Sequence, residues 1–303
     1  MIKENDTKKG FFIVLDSCNG AGKSTQIKCL KERLEALDYD VITTREPGGT
    51  PGAEQVRELL VTGDPDRWDK ISEIMLFSAA RRNHVETLIK PSLAAGKIVL
   101  CDRFVPSTIA YQGFGRGVAL DTIKHITKMA IGDFEPDLTF LFFIDPKVGL
   151  QRAASRRGHE MRFESLDMDF HRRVQDGYDY VLREGNREGS ISRHHKYQAV
   201  SIHDRTIETV TEILLATILR RIIQDQPTLI RHLRVVFEAT PNDSTLTPGQ
   251  QPHHLHVGDG VSVVCHDPTL LTATAEIHPG GDADQKRDIP FNLCNTEPSV
   301  DKP

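Results

Sequence analysis

Nothing in this 303-residue chain approaches the length of a membrane span; the longest candidate, Leu138 to Ile144, suits a buried strand at most. The opening residues, Met1-Ile2-Lys3-Glu4-Asn5-Asp6, lack the apolar block of a secretory signal. Five scattered cysteines include no C-x-x-C pair, which argues against a disulfide framework and for a reducing compartment. Positive charge is not in excess either. Lys and Arg number 38 against 43 Asp and Glu, a net charge of −5, so there is no general attraction to a nucleic-acid polymer. No internal repeat is found. These absences leave a soluble, cytoplasmic chain with no membrane or nucleic-acid partner, long enough for a sizeable core in one or two domains.

The chain changes character near residue 225. Before that point, strand-like runs alternate with amphipathic stretches. Phe11 to Leu15, Val41 to Thr44, Lys97 to Cys101, Leu138 to Ile144 and Tyr197 to Ile202 read as strands. Ile27, Leu30, Leu34 and Leu37 recur at helical spacing, Ile71 to Ala95 reads as a long helical segment, and a last helix spans about Thr206 to Ile223. Such alternation predicts an α/β fold with a parallel sheet covered on both faces. Residues 225–303 hold nine of the sixteen prolines, with eleven acidic residues against five basic, and read as a mostly irregular or disordered extension. A marginal hairpin is expected from Val261-Ser262-Val263-Val264 and Thr272-Ala273-Thr274-Ala275. The tail histidines His253, His254, His256, His266 and His278, with Cys265, match no structural zinc spacing.

Between the first strand and its helix lies Ser17-Cys18-Asn19-Gly20-Ala21-Gly22-Lys23-Ser24-Thr25. Its right half fits the end of the phosphate loop G-x-x-x-x-G-K-[ST]. In that motif successive backbone N–H groups point at phosphate oxygens and the positive end of the following helix adds to them. Lys23 would reach the transferred phosphoryl group and Ser24 would hold Mg²⁺. A glycine-rich turn without a ligand would share G-K-S, but strand, loop and helix in succession favour the cradle. Ser17 stands where the motif has its first glycine. If that position demanded positive φ, the serine would cost about 1–2 kcal/mol.

Further motifs follow in order: Thr44-Arg45-Glu46-Pro47-Gly48-Gly49-Thr50, then Glu73 to Arg81, Asp102-Arg103-Phe104, Ser107-Thr108 and Tyr111-Gln112-Gly113. Gly132-Asp133-Phe134-Glu135-Pro136-Asp137-Leu138-Thr139 then leads into the strand ending at Asp145-Pro146. Over about residues 10–222 this ordered set resembles the bacterial-type thymidylate (dTMP) kinases, P-loop nucleoside monophosphate kinases. The resemblance implies a three-layer fold, with a central parallel sheet and helices on both faces, and a mobile lid over about residues 152–164. It implies a kinase domain over residues 10–224, preceded by a polar segment, 1–9. It implies transfer of the ATP γ-phosphoryl group to dTMP, giving dTDP and ADP, with Mg²⁺, in a homodimer.

The resemblance also assigns roles. Residues Ser17 to Thr25 would bind the ATP phosphates, and Arg45 and Arg103 the dTMP phosphate, a task suited to guanidinium forks. Asp102, after an apolar strand, has the setting of a Walker B-like acid that orients Mg²⁺ through water or positions the catalytic Arg103 and Lys23. Phe77 alone reads as core; the resemblance sets its ring against thymine, with Arg81 one turn on. Thr108 and Gln112 are candidate base-edge contacts, and Tyr111 would lie under the deoxyribose. The basic stretch Arg152 to Arg162 matches the lid. The phosphate loop has no arginine, so Arg157 and Arg162 are expected to supply catalytic charge, and Glu164 to be the lid-end acid. Asn19 replaces a common acid facing the sugar 3′-hydroxyl, at an expected cost of about 1–2 kcal/mol in acceptor binding. Phe104 replaces a common tyrosine. Two rival readings are a relaxed pyrimidine deoxynucleotide kinase and an impaired, nucleotide-binding scaffold. The tail could also dock an unknown protein partner.

Overall fold

The computed structural model describes residues 10–154, 162–163, 165–185, 197–203 and 205–225, and the strands at 233–238, 253–256, 262–265, 272–277 and 289–292. The chain divides into two units, residues 1–210 and 211–303. Every motif quoted above falls in the first.

Five strands of that unit form one sheet: β1 (Phe11–Ser17), β2 (Val41–Arg45), β3 (Ile98–Asp102), β4 (Leu138–Phe143) and β5 (Tyr197–Ser201), in the order β2-β3-β1-β4-β5. All four pairings are parallel, so each connection must cross back over the sheet, and helices do it. They are α1 (Lys23–Glu35), α2 (Pro51–Val61), α3 (Lys70–His84), α4 (Lys90–Ala94), α5 (Val105–Thr108), α6 (Leu120–Ile131), α7 (Pro146–Ala154) and α8 (Met168–Gly185), with α9 (Ile207–Asp225) after β5. π-helical turns at Val85–Ile89 and Ile109–Gly115 join α3 to α4 and prolong α5. The expected α/β fold is thus formed.

The central strand carries the clearest sequence signal because it is covered on both faces: all seven residues of β1 are buried. Phe12 and Val14 pack with Val85, Ile89, Val99 and Phe104 in one cluster. A second cluster gathers Cys18, Ala110, Tyr111, Phe163, Phe170, Val174 and Tyr178. Helix starts follow local chemistry. Thr50 caps α2 ahead of Pro51, accepting from the Ala53 N–H, and Asp69 caps α3, accepting from the Ile71 and Ser72 N–H groups.

Register sets up the site. Leu15 pairs with Asp102, Arg45 with Asp102, and Ser17 with Phe142. From β1 the chain crosses toward β2 on one side of the sheet, and from β3 it crosses to β4 on the other. The carboxyl ends of β1 and β3 therefore lie where the strand order reverses, the usual place for a ligand crevice in open α/β sheets.

Three expectations need correction. β1 runs two residues past Leu15, so Asp16 and Ser17 belong to the strand. The segment Ile71 to Ala95 is interrupted by a π-turn. In the second unit, both hairpin segments are strands, but they do not pair with each other. β8 (Ser262–Cys265) pairs with β7 (His253–His256), while β9 (Thr272–Ile277) lies between β6 (Leu233–Glu238) and β10 (Ile289–Asn292). The sequence between β7 and β8 contains Gly258-Asp259-Gly260, and Asp-Gly is a strong hairpin signal. The described residues of the extension beyond Asp225 are five short strands.

Candidate active site

The phosphate loop is built from β1 outward. Gly20 and Gly22 have φ of 79° and 82°, the left-handed region that favours glycine. A Cβ on Gly20 would also sit 2.0 Å from the Gly149 carbonyl oxygen, so only glycine fits there. Gly22 caps α1 without a side-chain hydrogen bond, and the first turn of α1 carries no acidic residue. The N–H groups of that turn are thus left to an anion, with the positive end of the helix behind them.

Ser17 does not pay the φ penalty: it is a fully buried strand residue and is absent from the left-handed region, which among non-glycine residues holds only Asp38 and Arg103 of those described. Its hydroxyl donates to the Cys18 carbonyl at 2.7 Å and accepts from Lys23 Nζ at 3.0 Å. Lys23 also lies 3.4 Å from the Cys18 carbonyl and 3.8 Å from Asp102 Oδ1. Ser24 Oγ, exposed at the start of α1, donates to Asp102 Oδ2 at 3.0 Å. Lys23, Ser24 and Asp102 are therefore one constellation. Ser17→Gly removes two hydrogen bonds, the neutral one to the Cys18 carbonyl and the one accepted from the Lys23 ammonium, worth about 1 and about 1.5–3 kcal/mol, and leaves the loop's backbone donors in place. Its phosphoryl-transfer rate should stay within about fivefold of wild type, measured under saturating substrates.

Burial first, then the charge of Arg103, pulls the Lys23 ammonium from 10.5 down to about 8, against the opposing pull of Asp102 and Asp16. Burial pushes the neighbouring Cys18 thiol up to about 11, so it stays a neutral thiol near pH 7 and is no nucleophile.

Under the loop, Asp16 is a knot that sequence reading did not single out. Its carboxylate accepts from the N–H groups of Ser17, Phe104 and Ser107 at 2.9, 3.0 and 3.0 Å, from Ser107 Oγ at 2.6 Å and from the Tyr178 hydroxyl at 2.8 Å. Arg103 lies 3.8 Å from it. Arg103 holds a left-handed φ of 73°, a local strain of about 1–2 kcal/mol for a side-chain-bearing residue. Surrounding contacts sustain it: Nη1 donates to the Ser17 carbonyl, Ser107 Oγ and Tyr178 OH at 2.8, 2.8 and 3.2 Å, and Nη2 donates to Asn19 Oδ1. The guanidinium also lies over the Tyr111 ring, 5.1 Å from its centroid. Asn19 thus turns its carbonyl to Arg103.

Across from the loop, Glu73, Phe77 and Arg81 form one stripe of α3. Arg81 is buried, held by Glu46 Oε2 at 2.6 Å and donating to Thr108 Oγ1 at 2.9 Å, while its Nη1 is buried with no hydrogen-bond partner among the described residues. Glu46 is itself pinned by His84 Nδ1 at 3.1 Å, and His84 Nε2 meets Thr44 Oγ1 at 2.6 Å. Phe77 is partly buried, 6.1 Å from Phe163 between ring centroids, and Tyr111 meets the same ring edge-on at 5.7 Å. Arg45 is half exposed and forks onto Glu54 at 3.0 and 3.4 Å.

Arg162, expected to supply catalytic charge, is one of the largest fully buried side chains. Its Nε, Nη1 and Nη2 donate to the carbonyls of Asp64, Leu60 and Pro65 at 3.1, 3.1 and 2.8 Å, and Nη2 lies 2.6 Å from Glu73 Oε2. The buried Glu73 carboxylate needs a counter-charge, and Arg162 supplies it. Arg157 and Glu164 lie outside the described residues.

Residues 15–202 match the family model described as thymidylate kinase. The chain is 48% identical over 175 residues to a protein named thymidylate kinase from Ruegeria pomeroyi, covering 58% of this chain and 82% of that one. It is 41% identical over 214 residues to one of the same name from Shouchella clausii, covering 69% and 99%. A crystal structure of thymidylate kinase from Ehrlichia chaffeensis superposes with a TM-score of 0.55 at 33% identity, covering 69% of this chain and 99% of that one. The family match starts inside β1 and ends just past β5, reaching all five strands of the parallel sheet, and the chain belongs to the thymidylate kinase family.

Proposed function

We propose that Lys23, Ser24, Asp102 and Arg103 carry out phosphoryl transfer from ATP to a dTMP seated against Phe77, Arg81, Thr108, Tyr111 and Gln112. The chain is an ATP-dependent dTMP kinase, forming dTDP and ADP for dTTP synthesis. The observation that carries the reading is the Lys23–Ser24–Asp102 constellation at the mouth of an uncapped helix. There the helix end, the lysine and Arg103 meet the charge that spreads over the transferring group. Arg45 and Arg103 hold the acceptor phosphate, and Arg157 and Glu164 belong to the lid at about 152–164. The relaxed and impaired readings are not favoured: the phosphate loop keeps its lysine and serine in working relation to Asp102.

Ser24 Oγ and Asp102 Oδ2 are hard oxygen donors 3.0 Å apart, and Asp102 Oδ1 is buried without a hydrogen-bond partner among the described residues, a set that fits Mg²⁺. Bound there, Mg²⁺ would neutralise charge on the ATP phosphates; Ser24 and Asp102 would orient it, Asp102 through water. A homodimer is supported by exposed Met75 on α3 and Met129 on α6, which would be covered between two copies. No helix among the described residues is long and apolar enough to cross a membrane, in keeping with a cytoplasmic enzyme. Residues 10–224 form the kinase domain, and 225–303 an extension open to a protein partner.

The test is dTDP formation from Mg-ATP and dTMP across pH 6.5 to 10. The free enzyme needs Lys23 protonated to receive ATP, and its ammonium titrates at about 8. The ratio kcat/KM for ATP is therefore expected to fall as pH rises through about 8, since that ratio reports the free enzyme. The stability sign is opposite. Between about 8 and 10.5 the unfolded chain holds more protons at Lys23, so this residue's contribution to stability rises with pH over that window. Absence of dTDP at any pH sinks the assignment.

A further inference from the structure

Glu73 is fully buried, lies outside the phosphate loop, and has no part in phosphoryl transfer as described. Glu73, Phe77 and Arg81 follow one another at i+4 spacing on α3, and Thr108 and Gln112 stand one turn apart opposite them. Two rungs join the stripes. Arg81 Nη2 donates to Thr108 Oγ1 at 2.9 Å, and Gln112 Nε2 donates to Glu73 Oε1 at 2.9 Å. Phe77 sits between the rungs.

A carboxylate oxygen only accepts, so the second rung dictates the orientation of the Gln112 amide: its NH₂ faces Glu73 and its oxygen is turned away. Glu73 cannot swing to release it. Arg162 Nη2 lies 2.6 Å and Arg116 Nη2 3.6 Å from its other oxygen, and Arg162 is itself fastened to three backbone carbonyls. The Gln112 side chain makes no other hydrogen bond among the described residues, its backbone carbonyl being taken by the Val118 N–H, which leaves the amide oxygen as a fixed acceptor. Arg81 Nη1, buried and without a hydrogen-bond partner among the described residues, is a donor held on the facing rung by Glu46 and Thr108.

We infer that Glu73 is a specificity-determining positioning residue: by fixing the Gln112 amide, it makes the slot complementary to a pyrimidine bearing N–H beside a carbonyl and mismatched to one bearing a bare ring nitrogen beside an amino group. The first pattern is thymine or uracil; the second is cytosine. The inference rests on the reading of this slot as the base site. Its consequence is specific. In Glu73→Gln, Arg162 can only donate, so it draws the new amide oxygen to itself and the new NH₂ faces Gln112. Gln112 must then turn its oxygen inward and present NH₂ to the base.

The experiment compares kcat and KM for dTMP and dCMP in wild type, Glu73→Gln, Gln112→Leu and the double variant, with thermal unfolding alongside. The expected result is a fall of roughly 10- to 100-fold in the dTMP-to-dCMP ratio of kcat/KM in Glu73→Gln, the scale of one reversed buried hydrogen bond. It should appear chiefly in KM, and vanish when Gln112 is already leucine. General loosening of the fold would lower both substrates together and leave the ratio alone. An unchanged ratio in folded Glu73→Gln, while Gln112→Leu raises KM for dTMP, overturns the inference. If Gln112→Leu leaves KM for dTMP untouched, the base-site reading falls and takes the inference with it. Should Glu73→Gln not fold, Glu73→Asp keeps the charge opposite Arg162 while withdrawing the oxygen from Gln112. A smaller drop in the same ratio then supports the inference, and no drop overturns it.

Discussion

Lys23→Ala is expected to lower kcat for transfer from Mg-ATP to dTMP by roughly 10²–10³-fold, the cost of removing one preorganised charge from a transition state. The resting structure shows why the loss should fall on rate more than on folding. Lys23 is buried, and its charge is opposed by that burial and by Arg103 while Asp102 and Asp16 attract it. Removing a reluctant buried ammonium should leave the melting temperature unchanged or slightly raised. Its work lies ahead of it: from Ser17 Oγ at 3.0 Å and the Cys18 carbonyl at 3.4 Å, the ammonium can exchange neutral partners for phosphate oxygens. Steady-state rates at saturating ATP, with unfolding scans of the same samples, separate the two effects. A variant that keeps more than a tenth of wild-type rate would show that this lysine does not carry the transfer.

The residues that make this expectation possible were legible without coordinates, and the reason is local. A fully buried strand, a glycine-rich turn and a helix beginning at lysine are decided within about twenty neighbouring positions, where periodicity and turn chemistry speak directly. Asp16 and Glu73 were not legible in the same way. Each is an acid inside an apolar pattern, and its meaning comes from partners far along the chain: Tyr178 for Asp16, Gln112 and Arg162 for Glu73. A buried acid demands satisfaction, so an acid in a buried run was a signal, but no rule of spacing names the residue that answers it. Ser17 shows the same limit. Its backbone cost was foreseeable as a range, while the decision rested on where β1 ends. The pairing of β8 with β7 goes with an Asp-Gly pair in the sequence between them, a local signal for a hairpin.

Arg162→Ala is expected to destabilise the protein by about 3–5 kcal/mol, the usual result of leaving a buried charge without its partner. For a unit of this size that corresponds to a melting point lower by roughly 10 °C. A run of arginines beside a glycine resembles a mobile basic lid, yet this one has its guanidinium sealed against three carbonyls and a carboxylate. Deleting it strands Glu73, whose nearest remaining cation is Arg116 at 3.6 Å, and frees three carbonyls from α2 and the turn after it. Arg162→Lys should recover only part of the loss, because one ammonium cannot reach both the carboxylate and carbonyls set for a planar fork. The decisive comparison is between the two axes. A phosphate-contacting arginine would lose rate by 10²-fold or more with its melting point intact, whereas a buried one loses melting point first and retains most of its rate per folded molecule. If Arg162→Ala melts with wild type and turns over a hundredfold more slowly, the arginine leaves its niche during catalysis and the burial seen at rest is only half of its role.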